Sequence, residues 1–312
     1  MKRDLLTCDA LSASEVQTLM TRAAHYKANG LKGNFPGLLQ GAPVGLFFEK
    51  QSTRTRASFS AAIGLLGGHE IFMPPETLQI KRGEPIADTA RVFSGYFRAM
   101  VIRTFEQERL IEWARHATIP VINALSDLCH PCQAFTDLFT IFERHGKFQG
   151  LKLAYLGDGN NMAHSLMEAG AIVGMNVTIA TPVGAKPNSD WHKKVQAIAN
   201  KTNAKIVLTD DPKSAATNAD ILYTDVWVSM GEVGDKVSVV GKMKKLDFAP
   251  YQINDAIVAC AKPDAMVMHC LPAHRDEEIT AKVMDAHAST IFEQAKNRLP
   301  VQQAILEWAL QT

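Results

Sequence analysis

Apolar residues along this chain alternate between two modes. Short unbroken apolar runs of strand length, VGLFF from Val44, MVI from Met100 and VINAL from Val121, each give way to polar residues. After the first and third runs, STRTRASFSAAIGLL and CQAFTDLFTIFERHG resume with apolar positions at helical spacing. The second half repeats the order: LKLAYL leads through GDGNN into MAHSLMEAGAIVG, and VTIATP, KIVLT, ILYTDVW and MVMHCLP alternate with further helical stretches. Near the start, Ser12 and Glu15 have the spacing of a capping box, opening a helix through VQTLMTRAAHYKA that stops at Asn29-Gly30. Strand, loop and helix in repeated succession are the signature of parallel sheets covered on both faces. At 312 residues the chain exceeds what one core serves, which gives two domains of roughly 150 residues each. The expected fold is therefore α/β: two doubly wound domains, each a central parallel sheet flanked by helices. The amphipathic stretch from Gln133 to Arg144 is the expected connector, since no shift of composition marks a linker.

Composition narrows the function mainly by exclusion. Lys and Arg number 33 against 32 Asp and Glu, a balance that gives no reason to expect nucleic acid or an anionic membrane as partner. Any anion site must be local. Cys8, Cys129, Cys132, Cys260 and Cys270 are odd in number and irregularly spaced, which argues against a disulfide framework and makes a reducing cytoplasm the default. The N-terminus, MKRDLLTCDALSASEV, has no apolar run of signal-peptide length, and no stretch reaches the roughly 18 apolar residues of a membrane span. A soluble chain without a transit segment is expected.

In open parallel sheets ligands sit beyond the carboxyl ends of the strands, and the candidate chemistry falls in those loops. Ser52-Thr53-Arg54-Thr55-Arg56 opens a helix after a strand and offers hydroxyls, guanidinium forks and free N–H groups to one anion; the plain alternative is a Ser/Thr cap with two solvated arginines. His130-Pro131-Cys132-Gln133 lies between strand and helix, where a histidine can donate to a carbonyl or phosphoryl oxygen. Cys129 and Cys132 also form a C-x-x-C, so a thiol of depressed pKa, as in a redox site, is the competing reading there. A zinc site is weaker, because no second pair of ligands follows at the usual spacing. Gly157-Asp158-Gly159-Asn160-Asn161 imitates a dinucleotide fingerprint but holds Met162 at the third glycine position, and VTIATP ends without the acidic residue a ribose needs. The amides of Asn160 and Asn161 suit a substrate's carboxylate or amine instead, with an Asn-rich turn as the alternative. Asp225 to Gly231, DVWVSMG, and His269 to Pro272, HCLP, each end an apolar strand and bring a carboxylate, a hydroxyl and a thiol to the same strand ends. Taken singly, Asp225 could cap a helix and Cys270 could be an inert core thiol.

Taken together and in this order, these segments resemble the aspartate/ornithine carbamoyltransferase family over nearly the whole chain. Phe48-Glu49-Lys50 with the STRTR run, and the His-Pro-x-Gln segment, are similar to motifs shared by both branches and imply carbamoyl phosphate. DVWVSMG and HCLPAHR resemble the ornithine branch, where aspartate members carry His-Pro-Leu-Pro, so ornithine is the acceptor implied. Asp276 and Val233 depart from the Gly and Glu common there, and Lys296 replaces a common Glu, without removing a needed group. The resemblance implies a carbamoyl-phosphate-binding domain over residues 1–135, to which a C-terminal helix at 297–312 returns, and an ornithine-binding domain over 136–296.

It also implies roles. Carbamoyl phosphate would be held by Ser52, Thr53, Arg54 and Thr55, with Arg103 bridging phosphate and carbonyl, His130 at the carbonyl oxygen, Gln133 on the carbamoyl NH2, and Cys270, Leu271 and Arg298 completing that side. Asp225 and Cys270 would lie beside the attacking amine, while Asn161, Ser229 and Met230 hold the α-amino and carboxylate groups. Gln79 would reach a neighbouring subunit's site, making a homotrimer the smallest active unit. No metal or organic cofactor is implied, since the departing phosphate can accept the amine's proton. The pathway implied is arginine biosynthesis. Two competitors stay open: a carbamoyltransferase with another amine acceptor, and a non-catalytic homologue that only binds carbamoyl phosphate.

Overall fold

A computed structural model of the chain describes residues 2–32, 37–227 and 246–311. The chain divides into two compact units, Met1–Phe139 with Asn297–Thr312, and Thr140–Lys296.

The first unit is built on a parallel sheet of β1 (Pro43–Phe48), β2 (His69–Met73), β3 (Met100–Arg103) and β4 (Val121–Leu125) in the order β2-β1-β3-β4. β1 and β3 run as continuous apolar segments because both sheet faces are covered by helices. The edge strand β2 has a mostly exposed pattern, with only Met73 buried. α1 (Ala13–Asn29) opens on the Ser12/Glu15 capping box and closes at Gly30, as its spacing predicts. α2 (Thr53–Leu65) follows β1, α3 (Ile86–Phe93) and α4 (Gln107–His116) flank β3, and α5 (Pro131–His145) follows β4. The helix Arg298–Leu310 packs on α1 and α2 and is buried along almost its whole length. Phe47, Ile102, Leu110 and Trp113 anchor the core on one face of this sheet, each such side chain contributing about 1.5–3 kcal/mol by burial.

The second unit carries β5 (Lys152–Leu156), β6 (Asn176–Ala180), β7 (Ile206–Thr209), β8 (Ile221–Thr224) and β9 (Met266–His269), parallel throughout, in the order β7-β6-β5-β8-β9. α6 (Asn161–Val173) follows β5, α7 (Ser189–Thr202) follows β6, and α8 (Pro212–Ala216) follows β7. The expected class, two doubly wound α/β domains with a C-terminal helix, is the architecture observed. Among the described residues no helix is long and apolar enough to cross a membrane.

Strand order fixes where ligands can enter. The first sheet reverses its winding between β1 and β3, and the second between β5 and β8, so the loops leaving these strands part in opposite directions and leave a crevice at their carboxyl ends.

Candidate active site

On the first unit, Arg103 ends β3 at the switch point and is only 5% exposed. Its Nη1 donates to Ser52 Oγ at 3.3 Å. Ser52 occupies the N-cap position of α2 yet makes no side-chain cap hydrogen bond there. The ordinary-cap alternative for this segment therefore fails at Ser52, whose oxygen is committed to Arg103, and the positive end of α2 is left to other acceptors. Thr53 is exposed and Arg54 half-buried on the first turn, whereas Arg56 lies 3.6 Å over the ring of Phe72. Arg298 opens the C-terminal helix of this unit and donates from Nη1 to Gln133 Oε1 at 2.6 Å and from Nη2 to Thr55 Oγ1 at 3.2 Å. Gln133 directs its NH2 onto Asp137 at 2.8 Å, an orientation assigned from the hydrogen-bond network, which leaves its oxygen as the accepting atom on the Arg298 side.

This corner gathers buried positive charge. Burial, and then the charges of Arg298 and Arg54, lower the pKa of Arg103 to about 10, against a smaller opposing pull from Asp127. Burial followed by the same Arg298 and Arg103 charges holds His130 well below its ordinary value, so the imidazole is neutral and offers one N–H without adding charge. Glu49 fixes the frame: it accepts from Thr104 Oγ1 and from Arg109 Nε and Nη2 at 3.2 and 2.7 Å, while its own N–H donates to the Arg103 carbonyl at 2.8 Å. Arg109 and Thr104 belong to no motif of the sequence; a charged residue on the first turn of the helix after β3 is the signal for Arg109, and Thr104 carries none. Gln79 stands exposed on the short turn Gln79–Arg82 beyond the edge strand β2, and among the described residues no hydrogen bond joins it to this group.

The redox reading of Cys129 and Cys132 is overturned. Both thiols are buried, Cys132 donates to the Asn123 carbonyl at 3.3 Å, and burial pushes its pKa up to about 12, the opposite of an activated thiol.

On the second unit, Asp225 follows β8 and is 8% exposed. Its Oδ1 accepts from the Cys270 thiol at 3.0 Å and from the Val226 N–H at 2.8 Å, and its Oδ2 accepts from the Asn160 amide at 3.1 Å. Asn160 also caps α6, its oxygen accepting from the N–H groups of Met162 and Ala163 at 2.8 and 3.3 Å. The bland reading of an Asn turn thus holds for Asn160, which positions Asp225; Asn161 is the first residue of α6 and half-buried. Gly159 tolerates no side chain, because a Cβ would lie 2.4 Å from the Ala185 carbonyl oxygen and the Pro187 nitrogen. Burial, with the charges of Asp225 and Asp158 after it, raises the Tyr155 pKa well above its ordinary value, so the phenol keeps its proton and donates to Asn160 at 3.4 Å.

Behind Cys270, His269 and Glu278 are both fully buried. The Leu271 N–H donates to His269 Nδ1 at 2.8 Å, so the ring proton sits on Nε2 and donates to Glu278 Oε1 at 2.9 Å. Glu278 also accepts from the His274 N–H at 2.6 Å. These bonds hold Leu271 in a left-handed conformation, φ 59°, costing about 1–2 kcal/mol for a leucine, ahead of a cis peptide to Pro272. With both imidazole nitrogens committed, Asp225 and Cys270 lack the third donor that would make the cluster with His269 a cation site. Ser229 and Met230 lie outside the described residues.

Fold and strand-end chemistry define an α/β protein with buried cationic groups at the strand ends of one unit and a buried carboxylate at those of the other. Two family models match it: aspartate/ornithine carbamoyltransferase, carbamoyl-P binding domain, over residues 3–143, and aspartate/ornithine carbamoyltransferase, Asp/Orn binding domain, over residues 149–309. The chain belongs to the aspartate/ornithine carbamoyltransferase family. It is 50% identical over 307 residues to an ornithine carbamoyltransferase of Anoxybacillus flavithermus, covering 97% of this chain and 95% of that one. Among solved structures it is similar to the ornithine carbamoyltransferase of Pyrococcus furiosus, with a TM-score of 0.91 and 44% identity over 98% of this chain and 96% of that one. It also resembles the anabolic ornithine carbamoyltransferase of Campylobacter jejuni, with a TM-score of 0.89 and 37% identity over 99% of each.

Proposed function

We propose that this chain is an ornithine carbamoyltransferase, which transfers the carbamoyl group of carbamoyl phosphate to the δ-amine of L-ornithine, giving L-citrulline and phosphate. The observation that carries the acceptor is Asp225, nine-tenths buried and bonded to Cys270 and Asn160. A dicarboxylate such as aspartate would place anion against anion there, whereas a diamino acid gains an opposite charge or an acceptor for its amine N–H.

Carbamoyl phosphate is assigned to the unit containing residues 1–135 and 297–312. Its phosphate binds at Ser52, Thr53, Arg54 and Thr55, where an uncapped helix start and a charged fork meet it. Arg103 bridges phosphate and carbonyl, and neutral His130 with Thr55 donates to the carbonyl oxygen as negative charge develops on it. The Gln133 oxygen accepts from the carbamoyl NH2, and Arg298 holds Gln133 and Thr55 in place.

Ornithine is assigned to the unit spanning 136–296, with Asn161, Ser229 and Met230 on its α-amino and carboxylate groups and Asp225 and Cys270 beside the δ-amine. An alkylamine with a pKa near 10.4 is almost wholly protonated at neutral pH, so the reactive form is the minor free base. Its nitrogen attacks the carbonyl carbon, the C–N bond forms, and the C–O bond to phosphate breaks as phosphate takes up the proton. Orientation and oxyanion stabilisation supply most of the rate.

A homotrimer sharing sites through Gln79, a cytoplasmic location and a place in arginine biosynthesis complete the proposal. The exposed Gln79 turn and the exposed edge strand β2 support the first. The test is citrulline formation from carbamoyl phosphate with ornithine, beside aspartate, acetylornithine and putrescine, and with the assembly mass measured in the same buffer. Turnover with ornithine alone is the expected result; turnover with another acceptor reassigns the second unit, and none with any makes the chain a carbamoyl-phosphate-binding protein.

A further inference from the structure

Glu278 is fully buried, and its two carboxylate oxygens are served unequally. Oε1 accepts from His269 Nε2 at 2.9 Å and from the His274 N–H at 2.6 Å, whereas Oε2 is buried with no hydrogen-bond partner among the described residues. His269 brings no compensating charge, because its Nδ1 accepts from the Leu271 N–H. No Lys or Arg among the described residues forms an ion pair with Glu278. Two other buried carboxylates of this unit each have a lysine: Lys194 Nζ stands 2.9 Å from Glu168, and Lys262 Nζ 2.6 Å from Asp220. Buried carboxylates are normally paired with a cation or bound to a metal, so a half-satisfied one calls for a reason.

A tightly tied turn brings two more donors to it. The Glu277 N–H donates to the His274 carbonyl at 3.0 Å, and the Ile253 N–H to the Glu278 carbonyl at 2.9 Å. The Gln252 side chain donates to the carbonyls of Asp276 and Glu277 at 3.0 and 2.8 Å. Held in this way, a ring nitrogen of His274 and one carboxylate oxygen each of Glu277 and Glu278 lie within 4.8 Å of one another. His274 Nδ1 and Glu277 Oε2 are 3.5 Å apart. Two ligands at about 2.0–2.2 Å from one tetrahedral ion stand roughly 3.3–3.6 Å apart, so this separation suits a shared ion. Both side chains are about half exposed, which gives an ion a way in from solvent. Asp276 is engaged elsewhere, its Oδ1 accepting from the Ala281 N–H at 2.9 Å. His274 and Glu277 alone would be an ordinary surface pair; the buried, half-satisfied Glu278 beside them sets the group apart.

We infer that His274, Glu277 and Glu278 bind one divalent first-row cation, with Glu278 Oε2 as the buried ligand and water in the remaining positions. One imidazole and two carboxylates suit an ion of the hardness of Mn2+. The ion neutralises Glu278 and braces the turn against His269, which in turn holds the Leu271 N–H. Its role is structural, and no step of carbamoyl transfer runs through it.

The experiment titrates the metal-stripped full chain with Mn2+, which disfavours the Cys270 thiol and whose free ion is counted by electron paramagnetic resonance. The expected result is one bound ion per chain and a Tm that rises with Mn2+ concentration. His274→Ala and Glu277→Gln change exposed side chains that the fold does not need, and each should weaken binding by about tenfold or more and remove most of the Tm rise at the same concentration. Cys270→Ser should bind Mn2+ as the wild type does, which separates this site from the neighbouring group of Asp225, His269 and Cys270. No bound Mn2+ at about 1 mM would overturn the inference. Wild-type affinity in either the His274 or the Glu277 variant would overturn it too, as would a loss confined to Cys270→Ser. Binding and Tm are read without substrate, so the outcome stands apart from which amine the protein carbamoylates.

Discussion

α2 and α6 open at the switch points of their sheets, one after β1 and the other after β5, and their first turns are finished in opposite ways. At α2, Ser52 sits in the capping position but turns its oxygen to Arg103, leaving the helix start uncapped beside Arg54, Arg103 and Arg298. At α6, Asn160 closes the helix start with two hydrogen bonds and presents its NH2 to a carboxylate, Asp225. A shared architecture thus yields an anion-attracting site in one unit and a site of negative and hydrogen-bonding character in the other. The fold supplies the location, and the side chain at one capping position decides which charge the location accepts.

The comparison breaks most visibly at Arg103. Arg103→Ala removes the buried charge at the α2 side, and kcat/KM for carbamoyl phosphate should fall by about two to three orders of magnitude, some 3–4 kcal/mol of transition-state stabilisation. Steady-state kinetics with carbamoyl phosphate varied would show it, and a fall below tenfold would remove Arg103 from the anion site. On the other unit, Asp225→Asn keeps the shape and removes the charge. Citrulline formation should slow by about a hundredfold while carbamoyl phosphate binding, read by calorimetry, stays at the wild-type value. Weakened carbamoyl phosphate binding in that variant would mean that the two units do not divide the substrates as proposed.

Much of this was legible in the chain, and the gaps have physical causes. β1, β3, β5, β8 and β9 announce themselves because both their faces are buried, whereas HEIFM, the edge strand β2, exposes three of its five residues and opens on two polar ones. The STRTR, HPCQ and HCLP segments could be placed on strand-end loops from local order alone. Which asparagine caps α6 could not, since Asn160 and Asn161 are adjacent and only backbone geometry separates a cap from a first helical residue. Arg298 touches Thr55 and Gln133 across 243 and 165 residues, a contact that no periodicity encodes and that only the family resemblance implies.

His130 offers a smaller effect with a definite sign. Its folded pKa lies well below 6.5, held there by burial and by Arg298 and Arg103. Above pH 6.5 neither state binds the proton; below it the unfolded chain takes the proton and the folded site does not, so stability falls as pH falls toward the folded pKa. The slope from this group is at most about 1.4 kcal/mol per pH unit. His145, His192 and His287 are also lowered by burial, so the measurement is the difference in urea-unfolding stability between wild type and His130→Gln across pH 6.5 to 4.5. The variant should show the shallower slope; parallel slopes would mean that His130 is charged in the folded protein.

The finest test returns to the capping positions. Asn160→Ala removes a cap that is made, and should lower unfolding stability by about 1 kcal/mol, within a usual range of roughly 0.5–2. Ser52→Ala removes a residue that stands at a cap without capping, and its stability should stay within a few tenths of a kcal/mol. Carbamoyl phosphate binding should instead weaken about fivefold as Arg103 loses its oxygen partner, the equivalent of about 1 kcal/mol. Equal destabilisation by the two substitutions, read from urea midpoints at constant slope, would mean that Ser52 caps α2 in solution. The helix start would then already be satisfied, and the charge difference between the units would have to rest on the arginines alone.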